Sequence, residues 1–299
     1  MSMDLQKNTI STLVRLQKTE TERVSIYTAV IPFIKNPDHA ETLQKLTEDA
    51  AHHAKLWERI TGTHHRVPAL LESAVRFTAR MLGSTFTLRL FSCGRSRMAR
   101  AYDAVSKEVP EALFASFDER RGNEQIQPLL ESSRLITLSS IIQKTGDAGS
   151  VFAGILAGLT YTMQNNRLTA SAGIVAATAT VLSVTGSAYI SNTDISVMTE
   201  KDYNGATFAT AATAAISFAM TCILMLPYLL FSPGSCHQAV ITMGISALLL
   251  TAAASFFTSV VKGRRFLFTM TERTLITAVT AGAAMLAGLA ARTVLDIDI

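Results

Sequence analysis

Polar and apolar positions divide this chain near residue 147. Before that point apolar residues recur every three or four positions among many charges, and after it long apolar runs are separated by short polar loops. The runs cover 148–163, 168–190, 205–231, 236–261 and 274–291, and the charges from Asp147 onward lie almost entirely between them. Most of the runs reach the ~20 residues a helix needs to cross a bilayer, and the first falls short unless residues 141–147 extend it. The expectation is therefore an all-α integral membrane protein, with a helical head at 1–140 and a five-helix transmembrane bundle at 141–299.

Within the head, Leu13, Leu16, Val24, Tyr27 and Ile31 keep helical spacing, as do Leu43, Leu46, Ala50, Leu56 and Ile60 after Pro37. Two further helices are expected from about 84 to 107 and from Pro110 to about 126, with Pro110 suited to a helix start. Four helices with short connections describe an antiparallel bundle. Between the pairs, residues 70–82 are apolar on one face with Arg76 and Arg80 on the other. That pattern fits a helix packed in the bundle and equally a helix lying on a membrane surface.

Charge adds an orientation. Lys201, Lys262, Arg264, Arg265 and Arg273 fall on one side of the spans, against Arg167 and Arg292 on the other, which makes the first side cytoplasmic. Five spans then put the N-terminal head in the cytoplasm and the C-terminus outside. Residues 1–12 are polar and lack the apolar stretch of a cleavable signal peptide. A net charge of +4, evenly mixed in the head, gives no basic patch for nucleic acid. Cys93, Cys222 and Cys236 are scattered and odd in number, which suits neither a disulfide framework nor a metal site.

Four-helix bundles hold di-iron centres through inward Glu and Glu-x-x-His pairs, because residues at i and i+3 share a helix face. Candidates here are Glu20 and Glu22 on the first helix, Glu48, Asp49, His52 and His53 on the second, and Asp118, Glu119 and Glu124 on the fourth. Asp49 and His52 form one carboxylate–imidazole pair at i and i+3, a spacing that a solvated helix face also produces. The adjacent pairs His52–His53 and His64–His65 point to different faces, which weakens a four-histidine metal site.

Several stretches resemble the vacuolar iron transporter family, in the branch that carries a ferritin-like (rubrerythrin-like) head before its membrane domain. In the head they are Leu16-Gln17-Lys18-Thr19-Glu20 with Tyr27, the stretch 57–62, the stretch 83–90, and Val109-Pro110-Glu111-Ala112. In the membrane part they are Gly146-Asp147, the stretch 154–159, Gln164-Asn165-Asn166-Arg167-Leu168, Leu226-Pro227-Tyr228-Leu229-Leu230 and Ser259-Val260-Val261-Lys262. The resemblance implies a homodimer that exports or sequesters Fe2+ or Mn2+ from the cytosol, driven by protons, and a transporter rather than an enzyme.

Carried over residue by residue, the resemblance makes Glu20, His53 and Glu119 metal ligands of the head. Arg23, Ala50, Ser92, Arg95 and Gly122 stand where it expects acids or a histidine, and cations at 23 and 95 oppose Fe2+ by Coulomb repulsion. It therefore implies no complete di-iron cofactor unless Asp49 and His52 take over by a register shift. In the membrane half, Asp147 matches an ion-path aspartate, while Val151, Val184 and Ala188 replace ligands. Ser150, Ser183, Thr185, Ser187, Asn192 and Asp194 remain as polar path candidates. Asp147 also fits an N-terminal cap of the first span. Two functions follow: a divalent-metal transporter using Asp147, or a non-transporting membrane scaffold or regulator that kept the fold and lost the ligands.

Overall fold

A computed structural model describes residues 7–91, 95–131, 133–199 and 203–294. All regular structure among them is helical: α1 Lys7–Val30, α2 Pro37–Thr61, α3 Ala69–Leu82, α4 Ser84–Phe91, α5 Arg95–Val105, α6 Glu111–Leu130, α7 Ser133–Met163, α8 Asn166–Thr199, α9 Tyr203–Leu230, α10 Cys236–Lys262 and α11 Phe266–Val294. The chain divides into two compact units, Met1–Leu135 and Ile136–Ile299, so the division falls in the first turn of α7.

In the first unit, α1 packs against α2, α3, α4 and α5, and α6 packs against α2, α4 and α5. The helix expected over 84–107 is recorded as α4 and α5, with residues 92–94 outside the described set. Local chemistry sets the boundaries of α2. Asn36 accepts a hydrogen bond from the Asp38 amide at 3.0 Å, Pro37 opens the first turn, and Gly62 ends the helix at φ 64°. Two apolar clusters occupy opposite ends of the bundle. One gathers Ile26, Val30, Leu43, Leu46, Ile126 and Leu129, and the other Leu13, Leu16, Trp57, Tyr102, Val109 and Ala112.

The second unit contains four helices long and apolar enough to cross a membrane: Asn166–Ser191 in α8, Thr207–Leu230 in α9, Cys236–Lys262 in α10 and Phe266–Val294 in α11. Large apolar side chains such as Val175, Leu182, Phe208, Leu249 and Leu286 are exposed along them. So much apolar surface is untenable in water and natural in lipid, where helices satisfy their own backbone groups.

The expected count of five spans is corrected to four. The expected first span lies in α7, where Gly146, Asp147, Gly149, Ser150, Thr160 and Thr162 dilute the apolar run. Such a helix is tolerated because its neighbours shield it. Phe152, Ala153, Leu156 and Ala157 are buried in a cluster with Leu224, Met225 and Tyr228 of α9 and Ala239 and Met243 of α10. Asp147 is not a helix cap, since α7 begins at Ser133; residues 135–145 contain no glycine or proline to stop it. The resembling stretch at 164–168 has a structural role. Asn165 accepts from the Arg167 amide at 2.9 Å, and Asn166 donates through Nδ2 to the Ser232 carbonyl at 2.7 Å.

Small residues weld α7 to α11. A Cβ on Gly158 would stand 2.9 Å from the Ala284 carbonyl oxygen, and one on Gly288 would collide with the Gly158 carbonyl. Gly282 faces open space, so its small size has no such cause. Ser150 and Thr277 add a hydroxyl pair at 2.8 Å across the same seam. We expect Gly288→Ala to destabilise this unit by about 1–3 kcal/mol, the usual cost of overpacking. Gly282→Ala serves as the neutral control. Thermal melting of both variants in detergent micelles checks this, and equal midpoints would refute the close approach.

Candidate functional site

Between the two apolar clusters of the head lies a polar layer. The sequence builds it by placing polar residues in phase with the buried stripes of three helices, two on α1 and one each on α2 and α6. On α1, Glu20 and Arg23 come between Leu16 and Ile26; on α2, His53 comes between Ala50 and Trp57; on α6, Glu119 comes between Ala115 and Ile126. All four polar residues are buried, Glu20 completely.

Arg23 occupies the centre. Its Nη1 donates to Glu119 Oε2 at 2.6 Å and to Glu20 Oε2 at 3.2 Å, and its Nη2 lies 2.9 Å from the Met98 sulfur. The other Glu20 oxygen accepts from the Tyr102 hydroxyl at 2.6 Å and lies 3.7 Å from His53 Nδ1. On its far side, His53 Nε2 meets Asp118 Oδ2 at 3.3 Å. Trp57 donates through Nε1 to the Tyr102 oxygen at 3.2 Å, and the two rings stack with centroids 5.6 Å apart.

These contacts order the protonation states. Burial pushes the Glu20 carboxyl up, yet Arg23, helped by hydrogen bonds from His53 and Tyr102, holds it below its ordinary value of 4.5. Burial pulls His53 down, but Glu20 and Asp118 raise it above 6.5. Burial and the adjacent Glu20 hold the Tyr102 phenol well above 10.0, so it acts as a neutral donor.

Of the residues expected to bind metal, the structure joins Glu20, His53 and Glu119. Asp49 and His52 are exposed, which corrects the register-shift alternative. The stripe Leu43, Leu46, Ala50, His53 and Trp57 sets the phase of α2, and Asp49 and His52 each precede a member of it by one residue, about 100° around the helix. His64 pairs with Glu58 at 2.8 Å and His65 lies 3.9 Å from Glu22, so the four histidines do not converge. Ser92 and the side chain of Arg95 lie outside the described residues.

The layer does not fit a di-iron centre. A guanidinium already sits between the two carboxyl groups a metal would bridge, and no group of three potential ligands converges on a metal position among the described residues. Tyr102, Trp57 and Met98 complete the layer and were not legible as site residues, because their pairing runs across helices. The visible signal was limited to Met98, Tyr102 and Val105 at helical spacing.

In the membrane unit the expected path residues do not assemble. Asp147, Ser183 and Ser187 are exposed. Ser150 is turned to Thr277 on α11 and to the Gly146 carbonyl. Thr185 is half-buried, Ala188 is buried, and the side chains of Asn192 and Asp194 lie outside the described residues. Arg273 and Lys262 are the cations whose field acts on Asp147. Comparison of the chain with family models, curated proteins and solved structures finds no match. Fold and site define an all-α membrane protein with an N-terminal helical region and four candidate spans.

Two outcomes test the layer, both read on the full chain in detergent micelles. Trp57, the one tryptophan, lies in the head core and reports its unfolding by fluorescence. Arg23→Met leaves Glu20 and Glu119 buried without their cation and is expected to cost about 3–5 kcal/mol in urea unfolding. A cost below about 1 kcal/mol contradicts the pairing.

The pH dependence follows from the shifts. His53 is raised, so its contribution is complete below about 6.5 and is lost as pH rises through its folded value. Glu20 is depressed, so its contribution is present above about 4.5 and is lost as pH falls through its folded value. Wild-type melting midpoints should therefore fall on the alkaline side, and His53→Gln should flatten that limb. An unchanged alkaline limb in the variant excludes His53 as its source.

Proposed function

We propose that this chain is a membrane scaffold or regulator of the vacuolar iron transporter type whose head has replaced metal with an internal guanidinium. The observation that carries this reading is Arg23 bridging Glu20 and Glu119 at 3.2 and 2.6 Å. A divalent ion in that position would have to displace a buried cation from two carboxyl partners, against Coulomb repulsion. The ferritin-like head is thus a structural module rather than an iron oxidase, and the chain is not an enzyme. Lys262 Nζ donates to Gln143 Oε1 at 2.6 Å, so α7 enters its unit at the basic end. The positive-inside rule then favours a cytoplasmic head, with α11 leaving at the opposite end, where Gly288 meets Gly158.

A second reading, proton-coupled transport of Fe2+ or Mn2+ with Asp147 on the ion path, is favoured by the polar interior of the membrane unit. Thr213, Ser217 and Thr221 of α9 and Thr251, Ser255 and Thr258 of α10 are buried hydroxyls at helical spacing. Intramembrane polar positions of this kind mark solute pathways as well as helix contacts.

The experiment is uptake of Fe2+ and Mn2+ into proteoliposomes bearing a pH gradient, together with metal analysis of the purified full chain after incubation with each ion. The scaffold reading expects uptake equal to that of empty liposomes and no stoichiometric metal. Uptake lost in Asp147→Ala overturns it in favour of the transporter.

A further inference from the structure

Helix α3 has two apolar faces, and the fold of the head consumes one. Val75 and Ala79 are buried, and Leu71 packs against the cluster formed by Ile26, Leu43 and Leu88. On another side Leu70, Phe77 and Met81 are 83, 65 and 66% exposed, with Ala74 also exposed between them. At about 100° per residue these four fall within an arc of roughly 60°, so they form a continuous stripe over three turns. Single exposed apolar residues are ordinary, but an aligned stripe on an already packed helix calls for an occupant.

We propose that this outer stripe is a lipid contact, laying α3 in the headgroup boundary of an anionic bilayer with Leu70, Phe77 and Met81 inserted and Arg76 and Arg80 against lipid phosphates. Three observations commit it to lipid. First, the four candidate spans hold the chain in a membrane, and α6 ends at Leu130 while the membrane unit starts at Ile136. That short connection tethers the head to a membrane-embedded unit and keeps α3 at high effective concentration near the bilayer. Second, both arginines are exposed on one flank of the stripe, and Glu72 is the single acid of the helix. Glu72 accepts from Arg76 at 2.6 Å, leaving the flank net positive. Third, an apolar stripe accompanied by exposed arginines is the arrangement by which helices lie in a membrane interface, and long arginine stems reach from apolar depth to phosphate.

The test uses the full chain with Cys93, Cys222 and Cys236 replaced by serine, reconstituted in liposomes containing phosphatidylglycerol. A nitroxide is attached at Phe77→Cys, at Met81→Cys, and at Lys55→Cys on the exposed face of α2 as the aqueous reference. Collision with dissolved oxygen reports lipid, and collision with a water-soluble nickel chelate reports water. Labels at 77 and 81 are expected to favour oxygen several-fold over the reference, and Arg76→Gln with Arg80→Gln is expected to reduce that preference. Nickel access at 77 and 81 equal to that at 55 overturns the proposal. Shielding of 77 and 81 from both reagents also overturns it, because it indicates a protein partner such as a second copy. Trp57 emission confirms that each labelled head is folded.

Discussion

A buried carboxyl group must be neutralised, and the head is organised around that constraint. Glu20 is wholly enclosed, and leaving it unpaired would cost more than most single contacts contribute. Arg23 answers from the next turn of the same helix and extends to Glu119 on α6, tying the first and last helices of the bundle together. Tyr102 of α5 and His53 of α2 supply the remaining partners, so every principal helix of the bundle contributes to one layer. With His53 protonated, two positive groups face the Glu20 and Glu119 carboxyls. A layer of this kind adds little stability relative to apolar residues of the same volume, while removing one partner alone leaves an uncompensated buried charge. The helices cannot slide or rotate without separating charges, whereas the apolar clusters above and below would tolerate such shifts.

The membrane unit solves a different problem. Its outer helices present apolar side chains to lipid, so hydrophobic burial does not hold them together, and close backbone approach does that instead. The α7–α11 seam through Gly158 and Gly288 is the clearest case, and the packed part of α7 carries buried hydroxyls such as Thr160. The head and the membrane unit therefore invert each other, one with charge inside and the other with its apolar side chains outside.

The helices were readable in the sequence, whereas Glu20, His53 and Glu119 came through the resemblance as metal ligands and Arg23 stood out there as foreign to such a site. Geometry added that Arg23 takes the bridging position. The phase of α2 was also readable, because Leu43, Leu46, Ala50 and Trp57 direct His53 inward and His52 outward. The Trp57–Tyr102–Glu20 chain was hidden, since no sequence spacing links residues 45 and 82 positions apart. The first expected span was overcounted because the apolar run in α7 is diluted by Asp147, Ser150, Thr160 and Thr162, unlike the runs in the four helices that follow. The alternative reading of Asp147 as a helix cap failed for a local reason, an unbroken helical stretch upstream.

The central claim is that Arg23 and Glu119 interact directly as partners inside the head. A double-mutant cycle in the full chain, with Arg23→Met, Glu119→Gln and the double variant unfolded in urea and followed by Trp57 fluorescence, measures that interaction. The account predicts a favourable coupling between the two residues of about 1–3 kcal/mol, the range for buried groups in contact. Strict additivity of the two single changes would contradict it.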